Sequence, residues 1–456
     1  MIAPQLFYNL LLTALAVPAL PFAGLALAAR PRYRLGLRQR LGFVPAEVRH
    51  RLQGRRPLWV HAPSVGESLA TRPFLRELKL RYPASPLLFS TLTPTAYATV
   101  REQLPEADAV IYFPLDHPLC IWPVLRQLKP AAFFFGETEM WPNFLLMLAQ
   151  RQIPTFLVSG RFSARAQARY RWLSPLFRPM FQSLTRCCMQ TSADAERLIG
   201  AGAHANRVTV TGNFKMDGAQ ESNAQGMAIL QEAGLAERPL LIGASTHPGE
   251  EVFLLHVFRR LRLEIPELLL LLAPRHPQRF AEVTRLLAHE HYRYVARSQP
   301  LPSDSATAEV FLLDTLGELA SFYPAAVATF VGGSLVKGPG GHSVVEPALA
   351  RTPVFCGPYT SNFATVVEQL QQAGGGTVVT TEDQCYRRLV PFFLDPQKAQ
   401  EAGQQAYAVV KQGQGAVART LEIIQDALST GTEEMRGTVI LSRSAAEAKN
   451  LMKRQA

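Results

Sequence analysis

The run Leu58-Trp59-Val60-His61-Ala62-Pro63-Ser64-Val65-Gly66-Glu67 passes from five largely apolar residues through a short turn into a helical stretch, which is how a βα unit begins. The same alternation continues along the chain, with short apolar, β-branched or aromatic runs at 87–91, 109–113, 131–135, 155–159 and 208–211 and helix-period runs between them. Repetition of this kind predicts a parallel sheet flanked by helices. A polar stretch at 218–238, rich in Ala, Gln and Glu, interrupts the pattern, and a second series follows at 240–244, 268–273, 309–313, 328–331 and 354–356. The expected organisation is therefore two α/β domains, 57–217 and 239–430, joined by a linker at 218–238 and followed by a polar tail at 431–456. Two such sheets in series predict a cleft. Ligands of open α/β sheets bind beyond the carboxyl ends of the strands, so the strand-end loops should carry the chemistry.

With 456 residues, 48% hydrophobic and 18% charged, the chain is a large globular protein, not a disordered or disulfide-stapled one. A net charge of +11 would suit a nucleic-acid binder, but its distribution argues otherwise. Residues 1–29 carry no charged side chain. Residues 30–56 hold nine arginines against one acid, Glu47, which leaves +3 for residues 57–456. This pattern reads as an apolar membrane anchor over 1–29 and a basic juxtamembrane segment over 30–56. Residues 6–29 are long enough to cross a hydrocarbon core of roughly 30 Å, and arginines after the apolar run keep the body in the cytoplasm. Pro18 and Pro21 suit a tilted or interfacial helix as well as a spanning one. The expected partner of the basic segment is an anionic inner leaflet, with no nucleic acid. Five cysteines without Cys-x-x-Cys or Cys/His ligand spacing point to a reduced compartment and no zinc site.

Among the strand-end loops, the second domain offers Gly332, Gly333, Gly338, Gly340 and Gly341, then His342-Ser343 and a helical run from Val344. Glycines permit close backbone approach and a helix start offers unpaired N–H groups, so a phosphate is expected there. Arg275 and His276, after the strongest apolar run, can add charge to the same anion. Glu346 stands three residues beyond Ser343, a spacing that fits a capping box or a carboxylate accepting two ribose hydroxyls. No P-loop pattern, GxGxxG or Asp-x-Asp pair is present, and Glu137-Thr-Glu139 is the nearest approach to a metal-binding pair. A reaction without metal or cofactor is expected. In the first domain, Glu67 is either a helix-start glutamate stabilised by the dipole or a catalytic one. Lys215 is either a surface lysine or the counterion of an acidic group or leaving phosphate.

Seven segments in order carry a family resemblance: His61-Ala-Pro-Ser-Val-Gly-Glu67, Gly136-Glu-Thr-Glu-Met-Trp-Pro-Asn143, Gly212-Asn-Phe-Lys-Met-Asp217, Ala244-Ser-Thr-His-Pro-Gly-Glu-Glu251, Ala273-Pro-Arg-His-Pro-Gln-Arg-Phe280, Asp314-Thr-Leu-Gly-Glu318 and Val331-Gly-Gly-Ser334. Together they resemble the 3-deoxy-D-manno-octulosonic acid (Kdo) transferases of lipopolysaccharide assembly. The resemblance implies a GT-B glycosyltransferase, with two Rossmann-like parallel-sheet domains facing a cleft and an N-terminal membrane-anchor helix. It implies transfer of Kdo from CMP-Kdo to a lipid A precursor (lipid IVA) with release of CMP, at the cytoplasmic leaflet of the inner membrane. By the same resemblance Glu67 is the general base and Glu137 and Lys215 support the transition state. Pro274, Arg275, Leu316, Gly317, Glu318, Ser343, Val344, Val345 and Glu346 match the CMP contacts. The chain departs from the family pattern at His342-Ser-Val-Val-Glu-Pro347, where His-Asn-Pro-Leu-Glu-Pro is usual, at Pro63, and at Ser159-Gly-Arg161 in place of Asn-Ala-Arg. The alternatives are another GT-B glycosyltransferase or a sugar-nucleotide epimerase of similar architecture. A membrane-tethered, non-catalytic binding protein is a further one.

Overall fold

Every expected apolar run becomes a strand. The structure, a computed structural model, describes residues 5–10, 12–14, 18, 34–52, 54–172, 174–218 and 225–429. In the first unit the strands are β1 (Leu58–His61), β2 (Leu87–Thr91), β3 (Ala109–Tyr112), β4 (Ala132–Glu137), β5 (Thr155–Gly160), β6 (Arg186–Met189) and β7 (Val208–Val210). They pair in parallel in the order β3-β2-β1-β4-β5-β6-β7. The second unit has β8 (Leu240–Thr246), β9 (Leu269–Pro274), β10 (Tyr294–Ala296), β11 (Val310–Leu312), β12 (Ala326–Val331), β13 (Val354–Cys356) and β14 (Gly376–Val378). Their order is β10-β11-β9-β8-β12-β13-β14, again all parallel. Each sheet reverses its winding beside its first strand, at β1/β4 and at β8/β12, and that switch point is where an open α/β sheet binds ligand.

Helices on both faces explain why the central strands read as continuous apolar runs. Phe133 and Phe135 enter one core and Phe134 the opposite one, because neighbouring strand residues face opposite sides. Trp59 lies edge-on to Phe133 and Phe144, with ring centroids 5.5 and 5.2 Å apart. In the second unit Leu268, Leu269, Leu270, Leu271 and Leu272 are wholly buried. Three strands have no counterpart among the sequence-based expectations. β6 reads Arg-Cys-Cys-Met, without β-branched or aromatic residues, and β10 and β14 are three residues long.

The domain limits need correction at two places. The division falls at Gly218/Ala219 and again at Gly413/Gln414, so the chain returns to the first unit at its C-terminal end, which the expected 239–430 domain did not foresee. The helix Ala416–Ser429 buries Val417, Leu421, Ile424 and Leu428 against the core containing Phe74 and Phe134. Asp217 accepts from the N–H groups of Gly415 and Val417, both at 2.6 Å, and Arg419 donates to the Thr211 carbonyl. The expected linker, 218–238, is in part a helix, Gln225–Glu232, whose Ile229 and Leu230 join the second unit's core. Gly226 is required there, since a Cβ would meet the Ser321 carbonyl at 2.4 Å.

Most of the apolar segment 1–29 and all of the tail 431–456 lie outside the described residues. Residues 5–10 and 12–14 are helical. Tyr8 donates to Asp116 Oδ2 at 3.2 Å and Thr13 Oγ1 lies 3.3 Å from His117 Nε2. Among the described residues no helix is long and apolar enough to cross a membrane. All five cysteines are free and all but Cys120 are buried.

Candidate active site

The turn after β1 brings Ser64 to the N-cap of a short helix, Val65–Ala70, and forms a complete capping box with Glu67. The Glu67 N–H donates to Ser64 Oγ at 3.4 Å, while the Ser64 N–H and hydroxyl both donate to Glu67 Oε2, at 3.2 and 2.7 Å. One carboxylate oxygen is thus fixed. Oε1 accepts no hydrogen bond among the described residues. Burial pushes the Glu67 carboxyl above the ordinary glutamate range, the Ser64 hydroxyl opposes the shift, the charges of Glu137 and Glu139 add to it, and Lys215 opposes it. Of the two alternatives in the sequence the capping role is observed, and it occupies one oxygen only.

Glu137 ends β4 at φ 50°, where the pairing with β5 slips between Gly136 and Glu137. A bulge re-aims a side chain, and the Glu137 carboxylate meets Lys215 Nζ at 2.7 Å with both groups largely buried. Lys215 is held by a buried polar chain. Asn213 caps the helix Phe214–Asp217 by accepting from the Lys215 N–H at 3.0 Å, and donates to Gln190 Oε1 at 3.1 Å. Gln190 in turn donates to the Ser159 carbonyl at 2.9 Å. Ser159 stands at φ 48° on a second register slip, between β5 and β6. Left-handed conformations of non-glycine residues cost on the order of 1 to 3 kcal/mol and concentrate at functional sites. Glu139 goes elsewhere, accepting from Trp141 Nε1 at 3.0 Å and standing 3.7 Å from the buried His61 Nε2.

In the second unit the glycine-rich segment is not the vacant amide cradle that its composition predicts. Glu250, wholly buried, accepts from the N–H groups of Gly333 (2.7 Å), Ser334 (3.0 Å), Leu335 (2.9 Å) and His247 (2.9 Å). The Gly341 and His342 N–H groups donate to the Gly333 and Gly332 carbonyls. A Cβ on Gly332 would lie 2.6 Å from Glu250 Oε2, so this glycine admits an internal carboxylate. The helical run expected from Val344 is only Val345–Leu349, too short to supply the expected dipole.

Anion-binding capacity at this end therefore rests on side chains. Arg275, exposed just past β9, makes no ion pair among the described residues, and its charge reaches both His342 and Glu346. Burial and Arg275 push His342 down to about 3, and burial lowers His247 too. The two neutral rings stack, with Nε2 atoms 2.8 Å apart, so one donates and the other accepts. Ser343 forms no capping box with Glu346, because the N-cap is Val344 and carries no side-chain bond. The Glu346 carboxylate, raised by burial with Arg275 opposing, accepts no hydrogen bond among the described residues. Of its two sequence roles, the capping box is therefore not formed. Val344 and Val345 are buried and Pro274 ends β9. Leu316 is 66% exposed at a turn tip beside Gly317 (φ 86°). The Glu318 carboxylate is already engaged by Arg297 Nη2 at 3.0 Å and by the Thr315 hydroxyl.

Sequence reasoning brought Glu67, Glu137 and Lys215 to one sheet end and Arg275, Ser343 and Glu346 to another. It missed Glu250, Asn213, Gln190 and the His247/His342 pair. Glu250 had a signal, a glutamate after glycine at the end of a first strand, as in Glu67. Among the described residues no group of three His, Cys, Asp or Glu side chains is arranged to hold a metal ion.

The family model for 3-deoxy-D-manno-octulosonic-acid transferase (kdotransferase) matches residues 36–218. The 3-deoxy-D-manno-octulosonic acid transferase of Haemophilus influenzae is 33% identical over 424 residues, covering 92% of this chain and 98% of the relative. That of Bordetella pertussis is 34% identical over 382 residues, covering 81% and 87%. Among solved structures, a putative UDP-N-acetylglucosamine 2-epimerase from Listeria monocytogenes superposes with a TM-score of 0.54 at 13% identity, over 82% of this chain and 96% of its own. The epimerase likeness is one of fold and agrees with a GT-B-like arrangement of two parallel sheets. Sequence identity across nearly the whole length goes further: the chain belongs to the 3-deoxy-D-manno-octulosonic acid transferase family of glycosyltransferases.

Proposed function

We propose that this Kdo transferase moves Kdo from CMP-Kdo to a lipid A precursor, releasing CMP, with Glu67 as the general base. The observation that carries the assignment is the divided carboxylate of Glu67, one oxygen locked by Ser64 and the other without a hydrogen bond among the described residues. A base needs an open lone pair and a pKa moved toward the working pH, and burial supplies the second. The acceptor hydroxyl gives its proton to Glu67, its oxygen bonds to the anomeric carbon of Kdo, and the anomeric C–O bond to phosphate breaks with its electron pair leaving on CMP. The Glu137–Lys215 pair supports charge in the transition state. Arg275 faces the CMP phosphate and Glu346 the ribose hydroxyls, with Pro274, Leu316, Gly317, Glu318, Ser343, Val344 and Val345 completing the nucleotide contacts. Glu318 contributes through its backbone, since its carboxylate is engaged. The reading is metal-independent, with Glu137 and Glu139 serving different partners.

The protein acts at the cytoplasmic leaflet of the inner membrane, held by residues 6–29. Support comes from the exposed Leu35, Phe43, Leu115, Leu119 and Trp122, and from Arg38 and Arg126 lying over the rings of Phe43 and Trp122. Apolar side chains rimmed by arginine suit an anionic bilayer surface. Purified protein incubated with CMP-Kdo and lipid A precursor should yield a product heavier by whole Kdo units. An unchanged acceptor mass would refute the proposal.

A further inference from the structure

The helix Pro142–Gln150 starts without a cap of its own, since Trp141, at its N-cap position, makes no side-chain bond to the first turn. The missing acceptor comes from another loop. Asp116, half-buried after β3, accepts from the Phe144 N–H on Oδ1 at 2.9 Å and from the Asn143 N–H on Oδ2 at 3.2 Å. The Asn143 side chain returns a bond to the Asp116 carbonyl at 2.7 Å. The second and third N–H groups of a helix are the ones an N-cap side chain normally satisfies, so Asp116 caps this helix from 27 residues away. Tyr8 of the N-terminal helical stretch is a third donor, to Oδ2 at 3.2 Å.

The capped end leads back to the reaction centre. Trp141 directly precedes Pro142, lies against Phe113 with ring centroids 5.7 Å apart, and donates from Nε1 to Glu139 Oε2 at 3.0 Å. Phe113 stands three residues before Asp116 on the same connection. The two glutamates of this segment are fixed differently. Glu137 has Lys215, whereas Glu139 meets no lysine or arginine among the described residues and stands 3.7 Å from the buried His61 Nε2. Its charge nevertheless reaches Glu67: after burial, which dominates, and the opposing Ser64 bond, Glu137 and Glu139 both push the Glu67 carboxyl up and Lys215 pulls it down. The Tyr170 hydroxyl feels the Glu139 charge as well. Glu139 thus depends on the Trp141 indole for its placement, and the indole on a helix start that Asp116 secures.

We infer that Asp116 is a positioning residue: by capping the helix Pro142–Gln150 from the loop after β3 it fixes Trp141, and through the indole N–H it holds the Glu139 carboxylate within electrostatic reach of Glu67. The inference rests on Glu67 as the base. The full-length enzyme would be compared with Asp116→Asn, Trp141→Phe and Glu139→Gln for the pH profile of kcat/KM, the KM of CMP-Kdo and the denaturation midpoint. In Asp116→Asn the amide keeps one acceptor and presents N–H groups to the other backbone donor, while Trp141→Phe keeps an aromatic ring and removes the bond to Glu139. Each change loosens Glu139 or removes its charge, so the acid limb should move to lower pH in all three. The rate at neutral pH should fall roughly three- to tenfold, because a less basic carboxylate is a weaker general base. Burial pushes the Asp116 carboxyl itself up to about 6, so its protonation contributes to the wild-type limb, and its absence from Asp116→Asn moves the limb the same way. The KM of CMP-Kdo should stay unchanged. Adding Asp116→Asn to Glu139→Gln should shift the limb no further, since both act through one carboxylate. A lowered midpoint with the limb in place would reduce Asp116 to a structural cap and overturn the inference, as would additive shifts in the double variant or a change confined to the KM of CMP-Kdo. Should Asp116→Asn fail to fold, an unmoved limb in Trp141→Phe overturns the inference by itself. A fully active Glu67→Gln would instead refute the base assignment beneath it.

Discussion

Glu67 and Glu250 occupy matching places in the two units. Each follows the first strand of its sheet, β1 or β8, each comes directly after a glycine, and each accepts from a residue three positions back. Their surroundings differ. Glu67 is half-buried, with one oxygen tied to Ser64 and the other open. Glu250 is wholly buried and saturated by four backbone N–H groups, three of them from the loop after β12. A carboxylate with all lone pairs satisfied has nothing left to offer a substrate, whereas one that is half-satisfied can take a proton. On the proposed mechanism the same strand–turn–helix device serves chemistry in one unit and loop architecture in the other.

The largest expected effect sets these uses against each other. Glu67→Gln should lower the transfer rate by 10² to 10⁴, on the order of 3 to 5 kcal/mol in the barrier, while the capping box survives because glutamine can occupy its last position. The stability change has a definite sign. Burial raises the Glu67 pKa in the fold, so its contribution to stability is fully present below the unfolded value, about 4.3, and is lost as pH rises through the folded value. At neutral pH the ionised form carries a desolvation cost that glutamine lacks, so the variant should be as stable as the wild type or slightly more so. The wild-type rate should fall as pH drops below the raised Glu67 pKa. Initial rates and urea midpoints at several pH values check both, and a fully active Glu67→Gln would remove the distinction between the two glutamates.

Glu250→Gln should behave the other way. Its amide would present N–H groups to backbone donors that now share two anionic oxygens, leaving buried groups unsatisfied at a cost on the order of 3 kcal/mol. A lowered denaturation midpoint, accompanied by weaker CMP inhibition as the loop at 333–335 loosens, is the expected outcome. An unaltered midpoint with only the rate reduced would mean that Glu250 is not architectural.

What the sequence made legible follows from how local each signal is. Strands buried on both faces leave continuous apolar runs, and Leu268 to Leu272 could be read at sight. The strand-end position of Glu67, Glu137, Lys215 and Arg275 followed from those runs. Three features were not legible because they depend on partners distant in sequence. Glycines at 332 and 333 looked like a phosphate cradle, but the anion they wrap belongs to Glu250, more than eighty residues earlier. The helix Ala416–Ser429 carries an ordinary amphipathic pattern that does not say which core will take it; Asp217 and Thr211 of the first unit do. Glu137, Ser159 and Ser245 adopt left-handed backbone on register slips, and no residue type among them signals it.

The smallest effect tests the feature that distinguishes Glu67 most directly. Ser64 is the only side-chain donor to its carboxylate among the described residues, whereas Glu250 depends on backbone alone. Ser64→Ala should cost about 1 kcal/mol of stability through the lost cap. Its kinetic signature should be more telling. The hydroxyl bond opposes the burial that raises the Glu67 pKa, so its removal should move the acid limb of kcat/KM to higher pH while the rate at alkaline pH falls far less than in Glu67→Gln. A structural cap alone would lower the midpoint and leave that limb in place. An unshifted limb would therefore separate Glu67 from the titrating group of the reaction, and with it the contrast between an open and a saturated glutamate.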